Sequence, residues 1–310
     1  MERVNVVKRI QVTNPVMIAG WPGMGNVALG AVEYLIKKAG FERFADIELI
    51  KPAIIDSVTV NHGMASLPPP PKYSFYYRNK PDIILFEGET QLPGQDGIDL
   101  LNKVLDVAMS LKVSRIFTGA AFPLPTGHAE PSEVFAAVNR KELKGLMKGY
   151  GVHPMEGGQI SGMNGLLLGY AAKRSIDAVC LLATIPHYAI SIPNPKASGA
   201  IIQTLERVLN FDVNLAELES EIKEMDEKMS AIEERVKDVF PITDEKPELP
   251  RKPIVFEKQL PPSVEEKIEI LFREARADKT KASTLKKELD RWDLFAKYED
   301  RFLDLFKEHL

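Results

Sequence analysis

The hydrophobic pattern of residues 1–212 predicts a layered α/β domain, because short apolar runs alternate with amphipathic stretches. Two runs, Asp82–Glu87 and Asp177–Ala183, are continuously apolar, as expected for strands covered on both faces. The other predicted strands are Val16–Gly20, Ala45–Ile50, Ile54–Asn61, Tyr73–Tyr77 and Arg115–Ala120. The predicted helices are Asn26–Ala39, Gly97–Leu111, Ser132–Lys148, Asn164–Lys173 and Ala197–Leu209. We therefore expect a sheet with helices on both of its faces.

The pattern changes over residues 213–240, where apolar residues recur at alternating spacings of three and four. This strict heptad is typical of a helix that pairs with another helix, whereas a helix docking on its own domain usually has a wider apolar stripe. Two partners remain open: a second subunit, or the C-terminal helices of the same chain. In the first case the oligomer interface consists of Leu215, Leu218, Ile222, Met225, Met229, Ile232 and Val236.

The C-terminal part of the chain is predicted to be a Pro-rich linker followed by a helical hairpin. The linker spans 241–262, and the hairpin of 263–310 contains the helices Ser263–Ala277 and Thr284–Leu310. The second helix combines basic and large apolar residues, which predicts docking on an acidic or phosphate-rich partner; the alternative is a solvated helix end. The candidate docking residues are Lys286, Lys287, Arg291, Trp292, Phe295 and Phe302.

Composition narrows the class of protein. The 310 residues are 45% hydrophobic and carry a net charge of −4, which argues against a dedicated nucleic-acid binder, so DNA is not an expected partner. The single cysteine, Cys180, fits a reducing compartment. No apolar run is long enough to cross a bilayer, and the first residues lack a signal-peptide core. We expect a cytoplasmic protein without a membrane contact.

One glycine-rich turn has the arrangement of an anion site. Gly23, Gly25 and Asn26 stand between a predicted strand and a predicted helix, where backbone N–H groups at a helix start can face a phosphate. Neither Gly-Lys-Ser/Thr nor G-x-G-x-x-G is present. The turn is therefore interpreted either as a structural bend or as a nucleotide or phosphate site.

Titratable side chains follow several predicted strands. Glu87, His128 and His187 come after three of them, and the carboxyl ends of parallel strands share one sheet edge. Glu87 and His128 are the candidate acid/base groups of an enzyme hypothesis. Metal-ligand spacings are absent from the sequence, so we expect no metal, and we assign neither a catalytic residue nor a cofactor. A second glycine-rich helix entry lies at 157–165, where Asn164 suits the N-cap position.

Four separated segments together resemble a known family. They are Gly20-Trp21-Pro22-Gly23-Met24-Gly25-Asn26-Val27, Phe86-Glu87-Gly88-Glu89, Gly158–Gly169 and Pro193-Asn194-Pro195-Lys196-Ala197. In this order they are similar to the archaeal and bacterial branch of the proteasome assembly chaperone family, some members of which are labelled predicted ATP-dependent ligases. The resemblance implies a core similar to nucleoside phosphorylases, self-association, and a non-enzymatic role in assembling or activating proteasome rings.

The chain departs from this family at one point. Members that grip the proteasome ring end in a hydrophobic-Tyr-any tripeptide, whereas this sequence ends in Glu308-His309-Leu310. Three functional hypotheses follow. The first is an oligomeric scaffold for the proteasome, the second is a scaffold that docks on a ribosomal subunit, and the third is an enzyme that binds a nucleotide or phosphate at Gly23–Asn26.

Overall fold

The computed structural model describes residues 3–49, 58–236, 262–278, 281–291, 298, 301, 302 and 305. The chain divides into two compact units, Met1–Ile254 and Val255–Leu310. The first unit contains every β-strand of the described residues, and the second is helical.

A nine-stranded mixed sheet forms the centre of the first unit, in the order β1-β3-β6-β7-β2-β8-β11-β9-β10. Its four central strands, β7, β2, β8 and β11, run parallel, whereas β6, β3 and β1 add antiparallel strands at one side and β9 adds one at the other. A separate hairpin consists of β4 and β5. The strands are β1 Arg3–Val6, β2 Val16–Gly20, β3 Glu42–Glu48, β4 Thr59–Asn61, β5 Met64–Ser66, β6 Tyr73–Arg78, β7 Ile83–Gly88, β8 Arg115–Leu124, β9 Val134–Val138, β10 His153–Pro154 and β11 Asp177–Pro186.

Helices cover both faces of this sheet, as the alternation of elements predicts. The helices of the first unit are α1 Val27–Lys38, α2 Gly94–Ser110, α3 Lys141–Gly149, α4 Gly162–Lys173, α5 Pro195–Leu209 and α6 Ala216–Val236. Side chains of α1, α3, α5 and α6 share one hydrophobic cluster, and those of α2 and α4 share another. Within β2, Ile18 belongs to the first cluster while Met17 and Ala19 belong to the second, because successive strand residues point to opposite faces. This explains why the central strands are continuously apolar.

The predicted helix Ser132–Lys148 is wrong in its first half. Val134–Val138 forms strand β9, which pairs antiparallel with β11, and the helix α3 begins at Lys141. The five residues of β9 suit a buried strand and come shortly before the amphipathic helix α3. A helical period fits the combined stretch, so the sequence pattern predicts a single helix across both elements. The short strands β1, β5 and β10 were also not predicted from the sequence.

The strand predicted over Ile54–Asn61 is confirmed at its end alone. Thr59–Asn61 forms β4 of the separate hairpin, and residues 50–57 lie outside the described part of the chain. The segment between β5 and β6 contains Pro68–Pro71 and has no assigned secondary structure.

The second unit contains a pair of helices, α7 Pro262–Ala277 and α8 Ala282–Arg291. Its apolar core is formed by Ile268, Phe272, Ala275, Ala282, Leu285, Leu289, Phe302 and Leu305. Of the predicted linker, residues 241–261 lie outside the described residues, and Pro262 is already the first residue of α7. In the described part of the chain, no helix has the length and apolar character that a membrane crossing requires.

Candidate functional site

Two N–H groups of the glycine turn, those of Gly25 and Asn26, donate to carbonyl groups of the chain itself. Gly25 donates its N–H to the carbonyl of Ile190 at 2.8 Å, and Asn26 donates to the carbonyl of Gly23 at 2.9 Å. The carbonyl of Gly25 accepts from the N–H of Asn194 at 2.8 Å. Gly25 has φ +63°, a conformation that favours glycine. Two of the N–H groups that could face a phosphate therefore already have partners within the chain.

Asn164 connects the two glycine-rich segments. Its Oδ1 accepts from the Trp21 N–H at 3.1 Å and from the Thr118 hydroxyl at 3.1 Å, and its Nδ2 donates to the Trp21 carbonyl at 3.0 Å. The predicted N-cap role of Asn164 is wrong, because Ser161 is the N-cap and α4 begins at Gly162. Asn164 lies in the first turn and is buried, so its amide is used for tertiary contacts.

Gly88, at the end of β7, lies against the indole of Trp21. A Cβ atom built on Gly88 would stand 2.4 Å from two indole atoms, so the two segments meet at a distance that no side chain on Gly88 would permit. Gln91 adds a bridge: its Oε1 accepts from the Met163 N–H at 2.9 Å, and its Nε2 donates to the carbonyl of Pro22.

The fourth segment, residues 193–197, contacts the glycine turn through Asn194. Its backbone pairs with Gly25, and its Oδ1 accepts from the Ala197 N–H at 2.9 Å, which caps α5. All four segments that carry the family resemblance therefore meet in one network. We call it the motif junction and define it by Trp21, Gly25, Gly88, Asn164 and Asn194.

The acidic residues beside this junction have their own environment. Tyr76 donates its hydroxyl to Glu87 at 2.9 Å. Burial raises the pKa of Glu33 in α1, and the negative charges of Glu87 and Glu89 raise it further. Several carboxylates thus share the space near the glycine turn, which makes the electrostatic potential there less favourable for an anion.

A second polar group lies where α6 passes the sheet edge; we call it the Glu233 cluster, defined by His128, Tyr188 and Glu233. The carboxylate of Glu233 accepts from the His128 backbone N–H at 2.9 Å and from the Tyr188 hydroxyl at 2.7 Å, and lies 2.5 Å from Nδ1 of His128. Nearby, Lys196 donates to the carbonyl of His128 at 2.5 Å and forms an ion pair with Asp226 at 2.8 Å. The cluster attaches α6 to the rest of the unit.

The pKa values in this cluster follow from its contacts. Burial by itself favours the neutral form of Glu233, but the hydrogen bonds from His128 and Tyr188 outweigh it and lower the pKa of Glu233 to about 2. Burial raises the pKa of Tyr188, and the neighbouring Glu233 carboxylate raises it further. Glu233 is thus a fixed anion and Tyr188 a neutral donor near pH 7.

Glu87 and His128, the candidate acid/base pair, take part in different networks. Glu87 pairs with Tyr76, whereas His128 pairs with Glu233 and lines a cavity of about 20 Å³, room for roughly one water molecule. The ring of His187 lies 3.2 Å from the carbonyl of Leu124. A larger cleft of about 370 Å³ lies between Gly25, Asn26, α1 and α6, and carries side chains of both charges.

The apolar seam of α6 faces the core of its own unit. Leu218 and Met229 are buried, and Leu215, Ile222, Met225 and Ile232 are partly buried. Leu218 and Ile222 pack beside Gly199 of α5, and the Leu218 N–H donates to the Tyr34 hydroxyl at 3.2 Å. The side chain of Val236 is outside the described residues. Of the two alternatives for the seam, packing within the chain is observed, although the partners are α1 and α5.

The candidate docking residues of the second unit differ in their exposure to solvent. Lys286 and Lys287 are exposed on α8, whereas Phe302 is buried in the core of the unit, so its interpretation as a docking surface is wrong. Arg291 is the last residue of α8. Trp292 and Phe295 lie outside the described residues.

The contacts of Glu233 and Gln91 were not predicted from the sequence, because both residues lie in polar stretches whose side chains are expected to face solvent. The sequence holds an indirect signal for the Glu233 cluster. His128 follows β8 and Tyr188 follows β11, and these neighbouring parallel strands end at the same edge of the sheet. Within the described residues, no group of three or more His, Cys, Asp or Glu side chains is arranged to hold a metal ion.

The fold and the junction define a class: a mixed α/β protein in which buried polar contacts join the glycine-rich segments at one sheet edge. The chain belongs to the PAC2 family, whose model matches residues 17–233. This confirms the resemblance to proteasome assembly chaperones that the four segments indicate.

Solved structures and a curated relative agree with this membership. PbaB of Pyrococcus furiosus, described as an archaeal proteasome activator, is 27% identical with a TM-score of 0.64, over 75% of this chain and 98% of PbaB. PbaA of the same organism, described as an archaeal homologue of a proteasome-assembly chaperone, shares the fold at 21% identity and a TM-score of 0.60, over 76% of this chain and 99% of PbaA. The uncharacterized protein MJ1210 of Methanocaldococcus jannaschii is 26% identical over 76% of this chain and 89% of its own length. The matched family model ends at residue 233, before the second unit.

Proposed function

We propose that this chain is an oligomeric, non-catalytic scaffold that binds the proteasome during its assembly or activation. The observation that carries the proposal is the likeness to the proteasome activator PbaB, which spans nearly the whole of that protein. The motif junction supports it, because the family segments bind one another through Asn164 and Asn194, and two N–H groups of the glycine turn are used within the chain. The buried, unpaired thiol of Cys180 agrees with the reducing cytoplasm as the place of action.

Self-association through α6 is the second part of the proposal. The seam has partly buried members, Leu215, Ile222, Met225 and Ile232, which retain surface for a neighbouring subunit. Leu218 and Met229 contribute through the position of the helix, since their side chains are already buried within the chain. The area that remains is narrow, so a further surface must take part in a stable oligomer.

The second unit is the part that we propose contacts the large complex. It lies beyond the matched family model and exposes Lys286 and Lys287 on α8. Two neighbouring exposed lysines suit an acidic protein surface and also the phosphates of a ribosomal subunit. The ribosomal subunit is therefore the alternative partner.

Co-sedimentation of native lysate on a gradient, followed by identification of the co-migrating subunits, separates these partners. We expect the chain to migrate with proteasome subunits, and a Lys286→Glu, Lys287→Glu variant to lose at least half of that fraction. Lys141→Glu, Lys144→Glu, a double reversal at exposed positions of α3, is the matched control and keeps it. Migration with ribosomal subunits alone supports the alternative, and migration with neither contradicts the scaffold function.

A further inference from the structure

The hairpin of β4 and β5 is amphipathic, and its apolar face is exposed. In the antiparallel register Val60 is opposite Ala65 and Thr59 is opposite Ser66. Opposed residues share a face and successive residues alternate, so Val58, Val60, Ala65 and Leu67 form one face. Val58, Val60 and Leu67 expose 56%, 61% and 68% of their surface. Thr59, Asn61, Met64 and Ser66 form the opposite, largely polar face.

The chain holds this hairpin in a defined shape away from the core of the unit. His62 and Gly63 both have positive φ, +48° and +79°, as in the tight two-residue turns that match the twist of paired strands. All six strand residues are exposed. The following Pro68–Pro71 segment has no assigned secondary structure, and a run of four prolines is stiff, with a length of about 12 Å in the polyproline II conformation. No part of the chain that the structure describes covers this apolar face. Because a two-stranded hairpin is marginally stable by itself in water, the face suits a cover supplied by another molecule.

The chemistry of the face fits a second copy of this chain. Residues 57–71 contain no Asp, Glu, Lys or Arg, and the single histidine, His62, is at the tip of the turn. A neutral apolar patch can meet its own image across a two-fold axis without opposing like charges. The outer face of α6, by contrast, exposes Glu219, Glu224 and Lys228, so its self-association depends on pairing charges of opposite sign. Two hairpins packed face to face bury both apolar faces at once.

We propose that the apolar face of the β4–β5 hairpin, Val58, Val60, Ala65 and Leu67, is a self-association surface that packs against the same face of a second copy. The inference rests on the self-association within the proposed function and does not depend on the identity of the large complex. A ten-residue hairpin offers less than the roughly 800 Å² per partner of a typical stable dimer, so it acts beside another surface. Its loss should weaken the oligomer and not abolish it.

The first test compares two charge insertions on the same strand of the full-length protein. Val60→Glu places a carboxylate on the apolar face, and Thr59→Glu places one on the polar face as the matched control. By sedimentation velocity over a concentration series, we expect Val60→Glu to raise the dissociation constant at least about tenfold, while Thr59→Glu stays within about twofold of the parent. Equal effects of the two substitutions would overturn the inference.

Cysteine crosslinking adds a measurement that does not depend on affinity. Under mild oxidation we expect Val60→Cys and Ala65→Cys to form intermolecular disulfides, and Thr59→Cys and Ser66→Cys, the residue pair on the other face, to form few. Cys180 does not interfere, because it is fully buried and burial raises the pKa of its thiol to about 12. An oligomer that persists in Val60→Glu without crosslinks at Val60 or Ala65 contradicts the hairpin inference alone. A parent protein that is monomeric at every concentration contradicts the self-association of the proposed function as well.

Discussion

Asn164 binds both polar atoms of the Trp21 backbone, its Oδ1 accepting from the N–H at 3.1 Å and its Nδ2 donating to the carbonyl at 3.0 Å. The two residues are 143 positions apart in the chain, and both are buried. Trp21 directly follows the last residue of β2, so the hydrogen bonds of the sheet no longer serve its backbone. The side-chain amide of Asn164 supplies these hydrogen-bond partners instead. This contact joins the first glycine turn to the second, and it satisfies groups that would be costly to bury without partners.

Asn164→Ala is therefore expected to destabilise the first unit. The substitution leaves the Trp21 N–H, the Trp21 carbonyl and the Thr118 hydroxyl without their buried partner, at a cost of about 3 kcal/mol in the free energy of unfolding. Urea unfolding followed by far-UV circular dichroism measures the change. Asn5→Ala, at an exposed position, is the control and should stay within about 0.5 kcal/mol of the parent. A loss equal to that of the control would show that the junction does not depend on this amide.

Gly88→Ala tests the close approach of β7 to Trp21. The added Cβ would lie 2.4 Å from the indole, and Trp21 is fully buried among other core residues, so the ring has little room to move. We expect a loss of about 2–3 kcal/mol in the free energy of unfolding. The same measurement on Gly145→Ala gives the matched control.

Gly145 lies inside α3 at an exposed position, and a Cβ there would meet nothing within 4 Å. Alanine at that position should leave stability unchanged or raise it by up to about 1 kcal/mol, because alanine favours a helix interior more than glycine does. Equal losses for the two substitutions would contradict the steric interpretation of Gly88.

ATP, nucleosides and inorganic phosphate are expected not to bind at Gly23–Asn26. The N–H groups of Gly25 and Asn26 already donate to carbonyls of the chain, and carboxylates of Glu33, Glu87 and Glu89 lie close enough to influence one another. A ligand present at 100 times its dissociation constant would raise the free energy of unfolding by about 2.7 kcal/mol, and with it the melting temperature. Because we expect no binding, the melting temperature at millimolar ligand should stay within about 1 °C of the unliganded value. A saturable rise in melting temperature that Asn26→Ala removes would restore the enzyme hypothesis.

The alternation of apolar runs was sufficient to predict the layered core, because strands covered on both faces leave an unambiguous continuous pattern. It failed at Val134–Val138, where a five-residue strand directly precedes a helix and periodicity alone cannot separate the two. The short strands β1 and β10 failed for a related reason, since four and two residues carry almost no period.

The functional residues show a different limit of sequence reasoning. Gly23 and Gly25 are found from a local signature, a glycine-rich turn between a predicted strand and a predicted helix. Asn194 enters only through the segment 193–197 that carries the family resemblance, and its capping role comes from the structure. The roles of Asn164 and Glu233 arise from contacts with residues 143 and 105 positions away, and nothing in their own neighbourhoods indicates those partners. The heptad correctly predicts a helix over Ala216–Val236. Its narrow apolar stripe favours pairing with another helix over docking on its own domain, whereas α6 packs on α1 and α5 of its own unit. The partner of that seam depends on where the chain turns before Ala216, which periodicity does not encode.

Glu233→Gln is expected to remove a stability difference between neutral and acid solution. The pKa of Glu233 is about 2 in the folded chain, below the ordinary value of 4.5, so the folded state holds the carboxylate more firmly deprotonated than the unfolded state does. The stability that Glu233 contributes is thus complete above about pH 5 and is lost progressively as the pH falls from 4.5 toward 2. The shift corresponds to at most about 3 kcal/mol, and screening by solvent near the cluster reduces it to about 1–2 kcal/mol.

Urea unfolding at pH 6 and pH 3 measures the contribution of Glu233. The parent should lose more stability at pH 3 than Glu233→Gln does, by about 1–2 kcal/mol. Glu234→Gln, at the exposed neighbouring position, is the control and should follow the parent. Identical pH profiles for Glu233→Gln and the parent would show that the hydrogen bonds from His128 and Tyr188 do not stabilise the anion.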